Sequence, residues 1–326
     1  MPQYGGGSIF NFPGRGRGGW FNLWLKWGEG VVKNTGMKWY PLVRDKIVVV
    51  TGASSGIGLA TAQLLQRCGW RVLPTVRQAA DFDRLQGEGF EPVMLDLADE
   101  GSVERAVAEI LGKTHGRMGA IVNNAGYGQP GALEDVTRAA MRQQFETNVF
   151  GTLDFTRRFI PIFRQQRVGR IILVSSVVGR VVIPLMGAYC ASKFAVEAMG
   201  DSLRLELGSA GISVSILEPG PIASNFRKRV VREAGEKLEQ AQSAFAAQYE
   251  KELSSPVRTY RRPTDIFRKP PEAVAKKIIH GLESPFPHVR YPVTGAAWLG
   301  SWVARYVPAR FTDWVMRSRV VGRAAT

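Results

Sequence analysis

The stretch Val48-Val49-Val50-Thr51-Gly52-Ala53-Ser54-Ser55-Gly56-Ile57-Gly58 decides how this chain folds: an apolar run enters a glycine-rich turn and continues as an amphipathic helix. Gly52 permits a tight turn, and Gly56 lets the backbone come close to a pyrophosphate. Gly58 allows the helix to pack closely on the strand, and the helix amino end offers a positive dipole to an anion. With Ser54, Ser55 and Ile57 these residues make an expected nucleotide cradle. A glycine-rich turn by itself is weak evidence, since many loops are merely tight.

On either side of this turn, short apolar runs alternate with longer helical stretches. The strand-like runs cover 47–50, 71–75, 92–95, 120–123, 170–175 and 212–217. The helical ones cover 58–68, 100–111, 141–163, 189–207 and 272–282. Such alternation predicts βαβ units, and the right-handed crossover rule turns them into an α/β, doubly wound parallel sheet with helices on both faces. Residues 225–267 break the pattern. They are highly charged, contain helical stretches and follow the sixth strand, at the sheet edge where a substrate lid belongs. The expected organisation is one domain over 45–294 that includes this lid insertion, a flexible basic arm over 1–44 and an amphipathic arm over 295–326.

Support for nucleotide binding comes from the second strand, which ends Leu73-Pro74-Thr75-Val76-Arg77. Dinucleotide folds place an acid there for the adenosine ribose. A guanidinium stands in its place, suited with the Ser54 hydroxyl to a 2′-phosphate, so NADP(H) is expected and NAD is the less favoured cofactor. Further along, Tyr189-Cys190-Ala191-Ser192-Lys193 sets a phenol and an ammonium one turn apart on one helical face. Of the eight tyrosines, only Tyr189 has a lysine four residues on. Ser176 closes the apolar run Ile171-Ile172-Leu173-Val174-Ser175, which delivers its hydroxyl at the carboxyl edge of the sheet. A tyrosine at its ordinary pKa of about 10 carries protons poorly at neutral pH, and a nearby cation is the usual means of lowering it.

Together these residues resemble the classical branch of the short-chain dehydrogenase/reductase family over about residues 46–293. The matching positions are 51–58, Asp96-Leu97, Asn123-Asn124-Ala125-Gly126, Asn148, Ser176, Tyr189, Lys193 and Pro219-Gly220-Pro221-Ile222. The resemblance implies a seven-stranded Rossmann domain with one nicotinamide cofactor. It also implies catalytic roles: Tyr189 as acid or base, Lys193 lowering that pKa and holding the nicotinamide ribose, Ser176 orienting the carbonyl and Asn148 anchoring a water. Asp96 and Leu97 would meet the adenine, Asn123, Ala125 and Gly126 would line the nucleotide, and Pro219, Gly220, Ile222 and Ser224 would hold the pyrophosphate and carboxamide. Within the family, Thr75-Val76-Arg77 and residues 272–290 are most similar to retinol dehydrogenase and 17β-hydroxysteroid dehydrogenase-like members. Hydride exchange between an alcohol and its ketone or aldehyde on a lipophilic molecule is therefore implied. A 3-oxoacyl-thioester reductase and a non-catalytic NADP-binding regulator are the alternatives. Substrate choice falls to residues 183–188 and 225–267, where the pattern gives no chemistry.

Composition sharpens the question of partners. The 326 residues are 45% hydrophobic and 22% charged, which excludes global disorder. Two cysteines, Cys68 and Cys190, exclude a disulfide framework and fit a reducing compartment, and no metal-site spacing is present. The net charge of +15 is concentrated at the ends. Residues 1–44 carry six basic residues against Glu29, and residues 285–326 carry six arginines against Asp313. The same arms hold Trp20, Trp24, Trp27 and Trp39, and Trp298, Trp302 and Trp314, several of them at helical spacing. Basic residues mixed with tryptophan suit a helix lying in a membrane interface, whereas no apolar run reaches the roughly 18 residues of a spanning helix. Packing of the rear arm on the protein's own core or on a partner subunit is the equal alternative. A cytoplasmic protein is expected, free or peripheral on an anionic membrane, as a homodimer or homotetramer and without nucleic acid as a partner. The glycine-rich front segment reads as a mobile tail, with Met37 an alternative start; the absence of acid over 1–28 leaves a transit peptide open, although the segment is poor in serine.

Overall fold

A computed structural model describes residues 38–224, 226, 230, 243–253 and 268–313. Residues 40–326 form one unit and residues 1–39 another, of which only Lys38 and Trp39 are described. The expectations for Trp20, Trp24, Trp27 and Trp314, and most of the 225–267 segment, fall outside the described residues.

The first unit is built around seven parallel strands in the order β3-β2-β1-β4-β5-β6-β7. They are β1 (Ile47–Val50), β2 (Arg71–Val76), β3 (Val93–Met94), β4 (Ala120–Asn123), β5 (Gly169–Val174), β6 (Ile212–Glu218) and β7 (Arg290–Pro292). The helices are α1 (Gly56–Arg67), α2 (Ala79–Gly87), α3 (Glu100–Thr114), α4 (Arg138–Phe145), α5 (Thr152–Gln166), α6 (Gly187–Leu207), α7 (Ala246–Leu253), α8 (Pro271–Glu283) and α9 (Gly295–Tyr306). Successive strand residues alternate between the two faces. Val48 and Val50 pack with Leu65 of α1, Leu85 of α2 and Ile278 of α8. Val49 points the other way, towards Ile110 of α3, Phe159 of α5 and Val196 of α6. The expected doubly wound Rossmann domain is thus present, and its strand order reverses between β1 and β4, which opens a crevice at their carboxyl ends.

Three elements were not foreseen from periodicity. Helix α2 buries only Leu85, too little for an amphipathic signal. Strand β7 is three residues long and includes Pro292, so it has no alternation to read. The expected single helix over 141–163 is interrupted by a π-helical turn, Glu146–Gly151, between α4 and α5. There Gly151 lies against the Leu97 carbonyl so closely that a Cβ would fall 1.8 Å from the oxygen. Wide turns of this kind recur at functional sites, and this one contains Asn148.

Beneath the carboxyl edge lies a buried ionic cluster that ties α6, β6, β7 and α9 together. Arg290 meets Glu197 at 3.2 Å, Glu218 at 3.2 Å and Asp201 at 2.7 Å. Ser301 donates to Glu218 Oε2 at 2.7 Å. Burial pushes the Glu197 carboxyl up to about 7, with Ser175 and Arg290 pulling it down and Glu218 adding to the rise.

Two predictions follow from packing and charge. Gly58→Ala would place a methyl 2.4 Å from the Gly52 carbonyl and 2.6 Å from Asn124 Nδ2, and is expected to cost at least about 2 kcal/mol. Gly87→Ala meets nothing within 4 Å and is expected to gain about 0.5 kcal/mol. Thermal denaturation of the two variants checks the contrast. For Glu197, a carboxyl raised above its ordinary 4.5 stabilises the fold at low pH, and that contribution is lost as pH rises through about 7. Melting temperatures between about pH 5 and pH 8 should therefore fall less for Glu197→Gln than for the parent protein.

Candidate active site

At the end of β1 the chain turns at Gly52, whose φ is +65°, and a Cβ there would sit 2.8 Å from Ala125 Cα. Only glycine allows the β1 and β4 loops to touch at this point. Asn124 fastens them, donating from Nδ2 to the Thr51 carbonyl at 3.0 Å and the Gly52 carbonyl at 3.1 Å. The Thr51 hydroxyl accepts from the amides of Asn124 and Ala125. Gly56, with φ +59°, presents a bare Cα across from Ser224, the nearest atom to an added Cβ being Ser224 Cβ at 3.3 Å. The first turn of α1 has no acidic residue, so its amide dipole is left to an anion. This cradle fits the pyrophosphate of a dinucleotide.

The remaining expected cofactor residues divide into two groups. Ser55 stands at the N-cap of α1 and Gly126 faces Asn148 Oδ1 and Lys193 Nζ, at 3.0 and 3.7 Å from an added Cβ. The Pro219 carbonyl accepts from Val177 N, Gly220 abuts Thr294, and Ile222 pairs with Lys269. Asp96 Oδ1 accepts from Ala98 N in a turn after β3, and Arg77 is exposed just past β2. All of these lie along the carboxyl edge. Asn123 and Leu97 are different: Asn123 Nδ2 donates to Thr156 of α5 at 2.9 Å, and the Leu97 side chain is in the core below the sheet. Ile57 also packs into a core cluster. These three side chains face the packing around the site, leaving only their main chain to the groove.

Ser176, Tyr189, Lys193 and Asn148 converge at the same edge. Ser176 caps a short turn after β5, accepting from Val178 N at 3.3 Å, and its hydroxyl pulls the pKa of the Tyr189 phenol down. Tyr189 and Lys193 lie one turn apart on α6, with the ammonium 5.8 Å from the centre of the phenol ring. Lys193 is buried and donates to the Val174 carbonyl at 2.8 Å. Burial lowers it to about 8, against the opposing pull of Glu197. Burial also holds the Tyr189 phenol above its ordinary range, with Ser176 pulling it down. The Lys193 ammonium makes its hydrogen bond to the strand carbonyl of Val174, and the downward pull on the Tyr189 phenol comes from Ser176.

Asn148 anchors the arrangement from the π turn. Its Oδ1 accepts from Tyr127 N at 3.1 Å, and its Nδ2 donates to the Tyr127 carbonyl at 2.9 Å and to Ser192 Oγ at 3.0 Å. Ser192 in turn donates to the Tyr189 carbonyl at 2.8 Å. Gln144 adds a bond to the Tyr127 carbonyl and another to Ser192. Tyr127, Gln144, Ser192 and Asn124 were missed as site residues, although Ser192 and Asn124 stand inside motifs already quoted. Arg84 was missed with α2: its guanidinium donates to the Ser54 carbonyl at 2.8 Å while pairing with Asp81 and Glu88. Around the phenol the surface is apolar. The Phe226 ring lies 5.4 Å from that of Tyr189, and Phe226, Met186 and Tyr189 all close on Gly128. In the described part of the expected lid, Ser243 and Tyr249 both bond Asp135 in the connection between β4 and α4.

Comparison with known proteins agrees with this geometry. The family model described as short chain dehydrogenase matches residues 46–235. The uncharacterized oxidoreductase YbbO of Escherichia coli is 40% identical over 275 residues, covering 84% of this chain and 95% of that protein. A 3-ketodihydrosphingosine reductase of Bacteroides thetaiotaomicron is 37% identical over 184 residues, covering 56% of this chain and 66% of that protein. Among solved structures, a short-chain dehydrogenase from Streptomyces avermitilis superposes with a TM-score of 0.67 at 28% identity, covering 84% of this chain and 97% of that one. With a family model over more than half its length and a relative aligned over nearly all of its own, the chain belongs to the short-chain dehydrogenase/reductase family of oxidoreductases.

Proposed function

We propose that the protein is an NADP(H)-dependent carbonyl reductase and alcohol dehydrogenase acting on a lipophilic substrate, with Tyr189 moving the proton. The observation that carries this reading is the Tyr189 phenol itself. The Ser176 hydroxyl acts on it by pulling its pKa down, the Phe226 ring lies 5.4 Å from its own, and Met186 closes with both on Gly128. A substrate there has its oxygen among hydroxyls and its body against apolar side chains, the usual character of a site for a lipophilic molecule. When bound, the reduced nicotinamide supplies the hydride that the carbonyl carbon accepts. The residues of this chain position the substrate and handle the proton. Ser176 holds the carbonyl oxygen, and Tyr189, kept protonated by burial, gives it a proton as the alcohol forms. Lys193 holds the nicotinamide ribose and keeps a positive charge beside the phenol. Asn148 keeps α6 in register with the β4 loop through Tyr127 and Ser192. The raised phenol keeps its proton for the acid role, and the reductase named in the Bacteroides relative supports reduction as the direction.

The choice of NADP(H) rests on the end of β2. No acid occupies the position after Val76, and the exposed Arg77 guanidinium follows it directly. Arg84 shares its charge with Asp81 and Glu88, which leaves a 2′-phosphate chiefly to Arg77.

Assays with NADPH and a panel of retinoid, steroid, fatty-aldehyde and 3-oxoacyl-thioester substrates test the activity. Turnover on at least one lipophilic carbonyl is expected, with Tyr189→Phe lowering kcat by about 10² to 10⁴ while NADPH binding by fluorescence is kept. Unchanged turnover in that variant would refute the role of the phenol. Arg77→Ala is expected to raise the KM for NADPH by about 10- to 100-fold, the worth of one charge-assisted hydrogen bond, and to leave the KM for NADH where it was. Equal effects on both cofactors would remove Arg77 from phosphate recognition.

A further inference from the structure

Helix α9 leaves β7 at the carboxyl edge of the sheet and has two unlike faces. Its inner face is small and anchored. Ala297 is fully buried, an added Cβ on Gly300 would fall 2.6 Å from Val177 Cγ2, and Ser301 bonds the buried Glu218. Val177 belongs to the turn that starts at Ser176, so α9 lies directly on the active-site wall. The outer face carries Trp298 (64% exposed), Leu299 (54%), Trp302 (48%) and Tyr306 (64%). At 3.6 residues per turn these four side chains fall within about 100° of arc. Phe311, 58% exposed, follows the helix. Arg305 and Arg310 are exposed alongside.

We infer that this face docks the enzyme on an anionic bilayer surface, with the active-site edge towards the lipid. Four features favour lipid over other occupants. The large side chains are mostly aromatic with polar tips, which suits the level of the headgroups. Residues 295–326 contain five arginines against one acid, Asp313, which suits anionic headgroups. A second copy docked about a twofold axis would bring two sets of Arg305 and Arg310 into one interface with little acid to neutralise them. Among the described residues no helix is long and apolar enough to cross a membrane, so the geometry is that of a helix lying on the surface. The inference goes beyond the proposed activity and stands even if the substrate proves water-soluble.

Flotation of the full-length protein tests it, using vesicles of phosphatidylcholine alone and vesicles with about one-third phosphatidylserine. The parent protein is expected to float with the anionic vesicles and much less with the neutral ones. Trp298→Ser/Trp302→Ser/Tyr306→Ser should lower the anionic partition by about tenfold or more, given the apolar area removed. Arg305→Glu/Arg310→Glu, confined to exposed positions, should abolish the preference for anionic lipid without touching the packed inner face. Equal flotation of parent and both variants overturns the inference, as does a dimer in lipid-free sedimentation that the aromatic variant dissociates. Turnover of a soluble aldehyde is measured on the same samples: loss of turnover with flotation kept counts against the proposed activity alone, and the reverse counts against docking alone.

Discussion

The contact between the loops after β1 and β4 governs the rest of the molecule. Two strands that neighbour in the sheet must bring their carboxyl-end loops together at the point where strand order reverses, and here they do so with almost no side chain between them. Gly52 makes the approach to Ala125 sterically possible, and Gly58 lets α1 settle against the turn. Asn124 and Thr51 then supply hydrogen bonds for backbone groups that the turn would otherwise leave unpaired. Because that join is made by small residues and main-chain bonds, the crevice above it stays open. The amide end of α1 faces one side of it and Gly126 the other. A bulkier join would fill the cradle; a looser one would leave buried amides without partners, at a cost of about 1 to 3 kcal/mol each.

A second layer of order fixes the catalytic helix. Three constraints act on α6 at different heights: Ser192 on the Asn148 and Gln144 amides, Lys193 on the Val174 carbonyl, and Glu197 on Arg290. Each lies within eight residues of Tyr189, so the phenol is held by a helix that cannot slide or rotate independently of β5, β7 and the π turn. The turn earns its irregular geometry here. A regular helix over 146–151 would tighten the stretch where Gly151 meets Leu97 and Asn148 reaches across to Tyr127.

Much of this was legible in the sequence, and the boundary of legibility is physical. The central strands β1, β2, β4, β5 and β6 and the glycine turn announce themselves because they are buried on both faces or require positive φ, conditions that few residue types meet. Strand β7 and helix α2 bury too few side chains to leave a period. Asn123 and Asn124 are adjacent and chemically alike, yet one turns down to Thr156 and the other up to the glycine loop. Nothing in their identity distinguishes them; the alternation of a strand end does, once its register is known. Arg84 reaches Ser54 from an element that periodicity did not reveal, so its contact with the cradle is invisible until α2 is placed.

The electrostatics of the site carry the last step. Spacing alone suggests that an ammonium one turn from a phenol exists to lower its pKa. Burial opposes this for both groups: it costs the phenolate and the ammonium alike their hydration, leaving the phenol high and the ammonium at about 8. Glu197, one further turn along, leans the other way by favouring the charged lysine. The resulting order, a neutral phenol beside an ammonium close to its own titration, suits a site that delivers a proton to an oxygen gaining negative charge. It suits abstraction from an alcohol only when further positive charge or new hydrogen bonds enter the groove. The same surroundings thus keep Tyr189 protonated, so the form in which the phenol stands ready is set by burial rather than by the Tyr-Lys spacing.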